Sequence, residues 1–571
     1  MRISLGGHIL GLWIAAAAGN ATAQGNPTED LRVREAAVAA QERQRLDEER
    51  RRSDTAPTLS APATGRRLLP IHDESPCFVL TAIGVVGMDA VSRSLKDEFE
   101  PFRGHCAGGA SLAALRHNLN QRLADEGFIT SRVALPEQEL ASGMLRAEVM
   151  AGRVEALMER AAAAGAASKS GAWQHAISLR PGDVLNVRAL DQALDHFNRL
   201  SGQKASFVIE PGSAEGLSQV VLRREVLRQQ HANAGLDNSA AREYGRTHAH
   251  VHWTVDAPLG VLDRFDASLG TSLESPNAGD RSQSITLRYS VPLLAQLFSL
   301  NLSHSRRARE VLGTTLSFRS SGADRSAELR WQWSAWRDAS RKLGLWSALR
   351  ERRSASFIDD TELVVQRSQL GTLEVGATWW QRREGLALQL ELAHGRSQRT
   401  GPRNPFVALD ELKPRLDRMR ADLSAALPVG ATRLAWSAQL EAQNLRHAAT
   451  SADRLVIGGR GSVRGFSGDA TLSGESGFTL QQELSGAAQA WAEGRLSAQP
   501  YVALDCGLVR GPSSHLGPGR ALAGIALGLR ISSTGPTPTF SADLALAAPL
   551  YKPRGFDIAK AVPYLSLSMS I

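Results

Sequence analysis

The sequence predicts an exported chain that ends in an antiparallel, 16-stranded transmembrane β-barrel, preceded by a polar helix, a linker and two small α+β units. Three observations predict it. The N-terminus carries a secretory signal. No later run of about 18 uninterrupted apolar residues offers a membrane helix. From about residue 230 onward, apolar and polar residues alternate with a period of two for some 340 residues, in stretches of about ten separated by turn residues. In an exported chain without a membrane helix, that alternation is the pattern of strands with one face in lipid and one in a wet lumen.

Residues 1–23 open with Arg2, run through a short apolar stretch and end in Ala21-Thr22-Ala23 before Gln24, the form of a cleavable signal peptide. Residues 24–52 are rich in Ala, Glu, Arg and Leu without a wide apolar stripe, which predicts a polar, solvated helix starting after Asn26-Pro27. Residues 53–70, "SDTAPTLSAPATGRRLLP", are broken by prolines and small residues and read as an extended linker.

Residues 71–152 and 153–225 each mix β-type runs with one amphipathic helix. In the first, "CFVLTAIGVVG" is a strand candidate, and Leu112, Leu115, Leu119 and Leu123 line one face of a helix ended by Gly127. "MLRAEVMAGRVEAL" reads as a strand pair around a glycine turn. In the second, Leu190, Leu194 and Phe197 recur at helical spacing, followed by the strands "ASFVIEPG" and "SQVVLRREV". Two copies of one unit of about 75 residues account for the region.

From residue 226 to 571 the strand pattern takes over. Ala249, Val251, Trp253 and Val255 oppose His248, His250, His252 and Thr254; Leu386, Leu388, Leu390 and Leu392 oppose Ala387, Gln389 and Glu391. Leu434, Trp436, Ala438 and Leu440 do the same, as do Leu565, Leu567, Met569 and Ile571 at the terminus. A soluble sandwich or propeller would carry more aromatic core and a repeated blade motif.

The net charge of +8 is spread over 66 basic and 58 acidic residues, not gathered into a stripe with interleaved aromatics, so a nucleic-acid partner is not expected. Three cysteines in an exported chain fit one disulfide and one leftover thiol, or three reduced buried thiols; Cys77 and Cys106 lie close in sequence and Cys506 is remote. No nucleophile elbow, HExxH helix or phosphate-binding loop occurs, and "GGRGSVRGFSGD" (458–469) fails the dinucleotide fingerprint, since Arg464 stands at the third glycine position. His248, His250 and His252 alternate on one strand face about 7 Å apart, so the three are expected to splay along a lumen wall and not converge on a metal. No catalytic residue, cofactor or metal site is expected.

This order of parts resembles the two-partner secretion transporters of the Gram-negative outer membrane, the hemolysin secretion/activation type. "CFVLTAIGVVG" with the later "GHC", and "GFITSRVALPEQELASGMLRAEVMAGRVE" (127–155), resemble the first POTRA (polypeptide-transport-associated) domain of that family, including its paired cysteines, here Cys77 and Cys106. "PGDVLNVRALDQALDHFNRL" resembles the second POTRA domain and "GLDNSAAREYGRTHAHVHWTVDAPLGVLD" the start of the barrel. "GGRGSVRGF" resembles the tip of the long sixth extracellular loop, which folds back into the lumen: Val463, Arg464, Gly465 and Phe466. "YVALDCGLVRG" resembles the strand whose aspartate faces that tip, which implies a pair between Arg464 and Asp505 beside Gly507. A planar guanidinium held bidentately by a wall carboxylate would offset the entropy lost by a loop threading a wet lumen. Two features depart from the pattern: Cys506, expected to face lipid, and the terminal Ile571 where an aromatic is common.

The resemblance implies an outer-membrane translocator that exports one large hemolysin- or adhesin-like, β-helical exoprotein without ATP. Its POTRA units in the periplasm would capture the unfolded client by β-augmentation, and the N-terminal helix would plug the resting pore. Further implied partners are outer-membrane lipid, the barrel-assembly machinery during biogenesis and, as an option, a second copy in a homodimer. An insertase of the same superfamily, a diffusive porin and an outer-membrane enzyme are the alternative readings.

Overall fold

The computed structural model describes residues 67–571 apart from 72–73, 88–92, 162–172, 239–244, 274–279, 313–316, 402–414, 430–431, 447–452, 469, 512–519, 534, 536–537, 555 and 557. The signal peptide, the polar helix and most of the linker lie outside the described residues.

The first unit contains β1 (Ala82–Val86), a 3-10 helix (Arg93–Phe102), α1 (Gly109–Asp125), β2 (Arg132–Ala134) and β3 (Met144–Met150). β3 is central, parallel to β1 and antiparallel to β2. Leu115, Leu119 and Leu123 of α1 pack with Leu95, Phe99 and Phe102 of the 3-10 helix and Leu145 of β3. Sequence reasoning missed that 3-10 helix, "RSLKDEFEPF", although Leu95, Phe99 and Phe102 recur at i, i+4 and i+7 and form its buried face. Cys77 and Cys106 form a disulfide with Cα atoms 5.2 Å apart, fastening the short strand pair Phe78–Val79 and Cys106–Ala107.

The second unit repeats the plan with β4 (Arg153–Ala161), α2 (Val187–Asn198), β5 (Gln203–Pro211) and β6 (Leu217–Val226). β6 is central, parallel to β4 and antiparallel to β5. The Asn186 side chain caps α2 by accepting the Arg188 N–H at 2.8 Å, and Trp173, Leu190, Phe197, Val220 and Leu222 form the core.

The strand pair expected within residues 144–157 is not a hairpin. β3 and β4 belong to different sheets, and Ala151-Gly152 is the passage between units, pinned by the Gly152 N–H donating to Ser131 Oγ at 3.0 Å. Each strand gains more by pairing in parallel inside its own unit, where a helix covers one face, than by a hairpin exposed on both faces.

The barrel runs through β7 (Gln230–Asp237), β8 (His248–Asp256), β9 (Arg264–Ser272), β10 (Arg281–Leu293), β11 (Gln296–Leu312), β12 (Ser317–Arg337), β13 (Arg341–Ile358), β14 (Ser368–Arg383), β15 (Leu386–Arg399), β16 (Arg415–Val429), β17 (Thr432–Arg446), β18 (Ser476–Ser485), β19 (Leu496–Arg510), β20 (Arg520–Ser533), β21 (Thr539–Tyr551) and β22 (Val562–Ser570). Neighbours are antiparallel, and β22 closes on β7 through five residue pairs, Ser566↔Asp237 to Ser570↔Asn233. The alternation sorts as lipid and lumen demand: Val251, Trp253, Leu300, Leu302, Leu373, Val375, Leu544, Leu546, Leu565 and Leu567 are exposed on the outside. No described helix is long and apolar enough to cross a membrane.

The second unit docks on the barrel turns nearest to it. Arg199 donates to Ser290 Oγ and to the Leu262 carbonyl, both at 2.5 Å, and His196 Nε2–H donates to the Leu294 carbonyl at 2.8 Å. Asp195 accepts from Arg337 at 2.8 Å and Lys342 at 2.9 Å, and Asp256 accepts the Gly202 N–H at 2.7 Å.

Candidate functional site: the lumen and the loop held inside it

The inward face of the barrel surrounds a cavity of about 1580 Å³. Its wall is a lattice of opposite charges in cross-strand register. Arg352 reaches Asp324 at 3.0 Å, Arg307 reaches the same carboxylate at 2.9 Å, and Arg420 reaches Glu441 at 3.0 Å. Such a wall keeps the bore wet while leaving little uncompensated charge, which suits passage of an extended polypeptide better than retention of one small ligand.

Between β17 and β18 the chain turns back into that bore. Leu455–Ile457 pairs with Leu472–Gly474 as a short hairpin, and its tip carries "GGRGSVRGF". Arg464 is the anchor. Its Nε donates to Asp505 Oδ2 at 2.6 Å, its Nη2 to Asp505 Oδ1 at 2.8 Å, and its backbone N–H to Oδ2 at 2.9 Å. A single carboxylate on β19, 1% exposed, thus takes the bidentate fork and a main-chain donor together. Nη1 adds Glu483 of β18 at 3.3 Å, and Glu483 in turn accepts from Arg530 of β20 at 2.6 and 2.8 Å.

The flanking residues lock the same point. Tyr564 on β22 accepts the Gly465 N–H at 3.3 Å and donates to the Phe466 carbonyl at 2.6 Å. Gly465 has φ +102°, a left-handed geometry, and a Cβ there would sit 2.6 Å from the Ala548 carbonyl oxygen of β21. On β20, a Cβ at Gly524 would fall 1.7 Å from the Arg464 carbonyl oxygen, so a glycine is required where the tip lies against the wall. Val463 and Phe466 are fully buried with Leu455, Ile457, Leu472, Val509 and Leu522, and Gly507 lies beneath Val463. Arg460 adds a pair with Asp543 of β21 at 2.9 Å. Five consecutive strands, β18 to β22, therefore hold one loop tip.

The structure brings Val463, Arg464, Gly465, Phe466, Asp505 and Gly507 together. Glu483, Tyr564, Gly524 and the Arg460–Asp543 pair were missed from sequence. Each lies on an inward position of its strand, but which inward residues meet the loop depends on register between segments up to 100 residues apart. Cys506 shares the outward face of β19 with the exposed Val502 and Leu504.

The histidine row departs from expectation. His252 is taken up by Ser268 Oγ at 2.8 Å and Thr254 Oγ1 at 3.1 Å, whereas His248 and His250 both turn toward Asp237 of β7. A carboxylate from the neighbouring strand supplies the convergence that three histidines on one strand lack.

With this geometry in hand, comparison with known proteins is specific. The family model of haemolysin secretion/activation proteins ShlB/FhaC/HecB matches residues 216–531, a ShlB-type POTRA domain matches 78–152, and a second POTRA domain matches 153–211. The outer membrane transporter CdiB-2 of Burkholderia pseudomallei (strain 1026b) is 26% identical over 95% of both chains. The hemolysin transporter protein ShlB of Serratia marcescens is 24% identical over 80% of both. The solved CdiB from Escherichia coli shares the fold, with a TM-score of 0.81 at 24% identity over 96% of this chain and 100% of that one.

Proposed function

Because this chain belongs to the haemolysin secretion/activation family, we propose that its own task is to export a single large exoprotein whose passage displaces the Arg464-anchored loop tip from the lumen. The protein is an outer-membrane translocator of two-partner secretion with its POTRA domains in the periplasm, and its partner is a secreted exoprotein. In the proposed cycle the two POTRA domains, at about 71–152 and 153–225, take up the client while it is unfolded. Their edge strands β1, β4 and β5 each offer a row of backbone groups to an extended chain. The client is hemolysin- or adhesin-like and β-helical, and its folding outside the cell makes retreat unfavourable, so no nucleotide is consumed. The chain performs no chemistry on the client. Residues 24–52 act as a removable plug, and the barrel itself is seated in lipid by the assembly machinery.

The single observation that carries this reading is the seating of Arg464. A tip fixed by one bidentate pair and a ring of close contacts holds firmly, yet it is released as a unit once that pair opens. An insertase would not need its tip withdrawn from the bore for a client to pass, and a diffusive porin would not need two POTRA domains.

The test is export of the large secreted protein encoded beside this one, measured in medium and periplasm with wild type and Arg464→Ala. Export that requires the wild-type chain, and fails in a variant still folded as a barrel, supports the reading. A partner that reaches the medium without this chain overturns it.

A further inference from the structure

We propose that Asp237, His248 and His250 form a site for a divalent transition cation, of the Zn²⁺ or Ni²⁺ class, on the lumen wall where β7 meets β8. Both Nδ1 atoms approach the same carboxylate oxygen, His248 at 4.0 Å and His250 at 3.9 Å from Asp237 Oδ2, and one donor atom from each of the three lies within 4.8 Å of the others. Two imidazoles and one carboxylate are the donor set such ions prefer, with the fourth position left open toward the bore; Ca²⁺ and Mg²⁺ favour all-oxygen shells. Ligands of a tetrahedral ion bound at about 2.0–2.1 Å stand roughly 3.4 Å apart. Small side-chain rotations would therefore close the set.

The convergence is built by register. Asp237 pairs directly with His248 and lies diagonal to His250, so its carboxylate stands between two residues that successive inward positions would otherwise keep apart. The rings stack 6.4 Å apart at an interplanar angle of 20°. Glycines clear the wall beside them: a Cβ at Gly235 would lie 2.5 Å from His250 Cε1 and Nε2, and a Cβ at Gly270 would lie 2.9 Å from the same atoms of His248. Both rings lie with their Nε2 edges on glycine and their Nδ1 edges toward Asp237. His252, one step along, has both nitrogens engaged by Ser268 and Thr254 and stays outside the set.

The placement gives a bound ion a consequence. β7 is the shortest of the sixteen strands at 8 residues, it closes the barrel through five pairs with β22, and Asp237 is the last of those five. An ion joining β7 to β8 at that residue braces the closing strand.

The experiment uses the full mature chain in detergent micelles, purified through a tag without histidine and stripped with EDTA. Titration calorimetry with ZnCl₂, and the visible absorption of added Co²⁺, read the site; loss of the heat-modifiable electrophoretic shift on warming reads barrel opening. The expected result is one Zn²⁺ per chain at low-micromolar affinity or tighter, a tetrahedral Co²⁺ band, and a Zn²⁺-dependent rise of a few degrees in the opening temperature. His248→Gln and His250→Gln each weaken binding at least tenfold and abolish the band, while His252→Gln changes neither. A folded wild-type barrel without a stoichiometric ion, or equal binding by folded His250→Gln and wild type, overturns the site.

Discussion

Two junctions hold this molecule together, and they treat buried positive charge in different ways. Inside the lumen, Arg464 meets a full negative charge aligned for both prongs of its fork, with Glu483 beside it. At the junction between the second POTRA domain and the barrel, Arg199 and His196 give their hydrogen bonds to neutral oxygens: a serine hydroxyl and the carbonyls of Leu262 and Leu294. The first junction is a matched pair whose halves are both costly alone. The second pairs Arg337 and Lys342 with Asp195 but holds Arg199 and His196 on neutral oxygens alone, so burial weighs on these two: it holds the Arg199 pKa down at about 10 and that of His196 down at about 4. The difference suits a latch that is either in or out of the bore on one side, and a fixed mount on the other.

The sharpest way to break the comparison is at the latch. Arg464→Ala leaves Asp505, 1% exposed, without its counter-charge, a loss of about 3–5 kcal/mol for one half of a buried pair. The expected outcome is a tip that leaves the wall, read as protease cleavage at Arg464-flanking residues 458–466 from outside the cell, with the barrel still closed. Asp505→Asn keeps one acceptor oxygen, sets an NH2 donor against a guanidinium N–H and leaves Glu483 facing Arg464, so it should release the tip less. Equal protection in Arg464→Ala and wild type would mean that the apolar cluster around Phe466, not the ion pair, holds the loop.

How far these junctions were legible from sequence follows from the range over which each is specified. The barrel was readable because period-two alternation is local: Leu386 to Leu392 announces its two faces without reference to any other strand. The helix of each POTRA domain was readable from its leucines for the same reason. Arg464 and Asp505 were legible only through resemblance, since nothing within either short stretch points to the other. Tyr564 and Glu483 escaped notice because a single inward tyrosine or glutamate looks like any lumen residue until register brings it to the tip. The hairpin expected across Gly152 failed for a related reason: a glycine between two strands signals a turn, but whether the strands pair across it is decided by distant partners, β1 and β6. The mount on the barrel turns left no local trace at all, because each of its contacts joins residues far apart in sequence: Arg199 with Leu262 and Ser290, His196 with Leu294, Asp195 with Arg337 and Lys342.

A smaller effect is expected at that mount. Arg199→Ala removes two charge-assisted hydrogen bonds and leaves the Leu262 carbonyl unmet, for about 2–3 kcal/mol. The measurement is amide hydrogen exchange in the turn at Leu294, whose N–H donates to the His175 carbonyl at 2.7 Å. Faster exchange there, with unchanged exchange inside α2, locates the loss at the junction. Arg199→Lys should recover only part of the protection, because one ammonium cannot reach both oxygens in the guanidinium geometry.

The smallest effect, and the one that separates the two junctions by condition and not by mutation, is acid sensitivity of the mount. Burial is the main cause that lowers the His196 pKa from 6.5 to about 4; Arg199 and Lys342 act in the same direction, against the hydrogen bond to Leu294 and the charge of Asp195. Since the folded value lies below the unfolded one, the neutral ring stabilises the docked state fully above pH 6.5, and that stability drains away as pH falls toward 4. At pH 5 the loss is about 2 kcal/mol by linkage from those two values. Dyes at Glu215→Cys in the second POTRA domain and Glu384→Cys in a barrel turn, in a Cys506→Ser background, would report it as a wider distance distribution between pH 7 and 5. His196→Gln retains an N–H donor for the Leu294 carbonyl but has no proton to gain, so its distances should hold constant over the same range. Identical acid profiles for His196→Gln and wild type would place the sensitivity elsewhere and leave the two junctions alike in their response to pH.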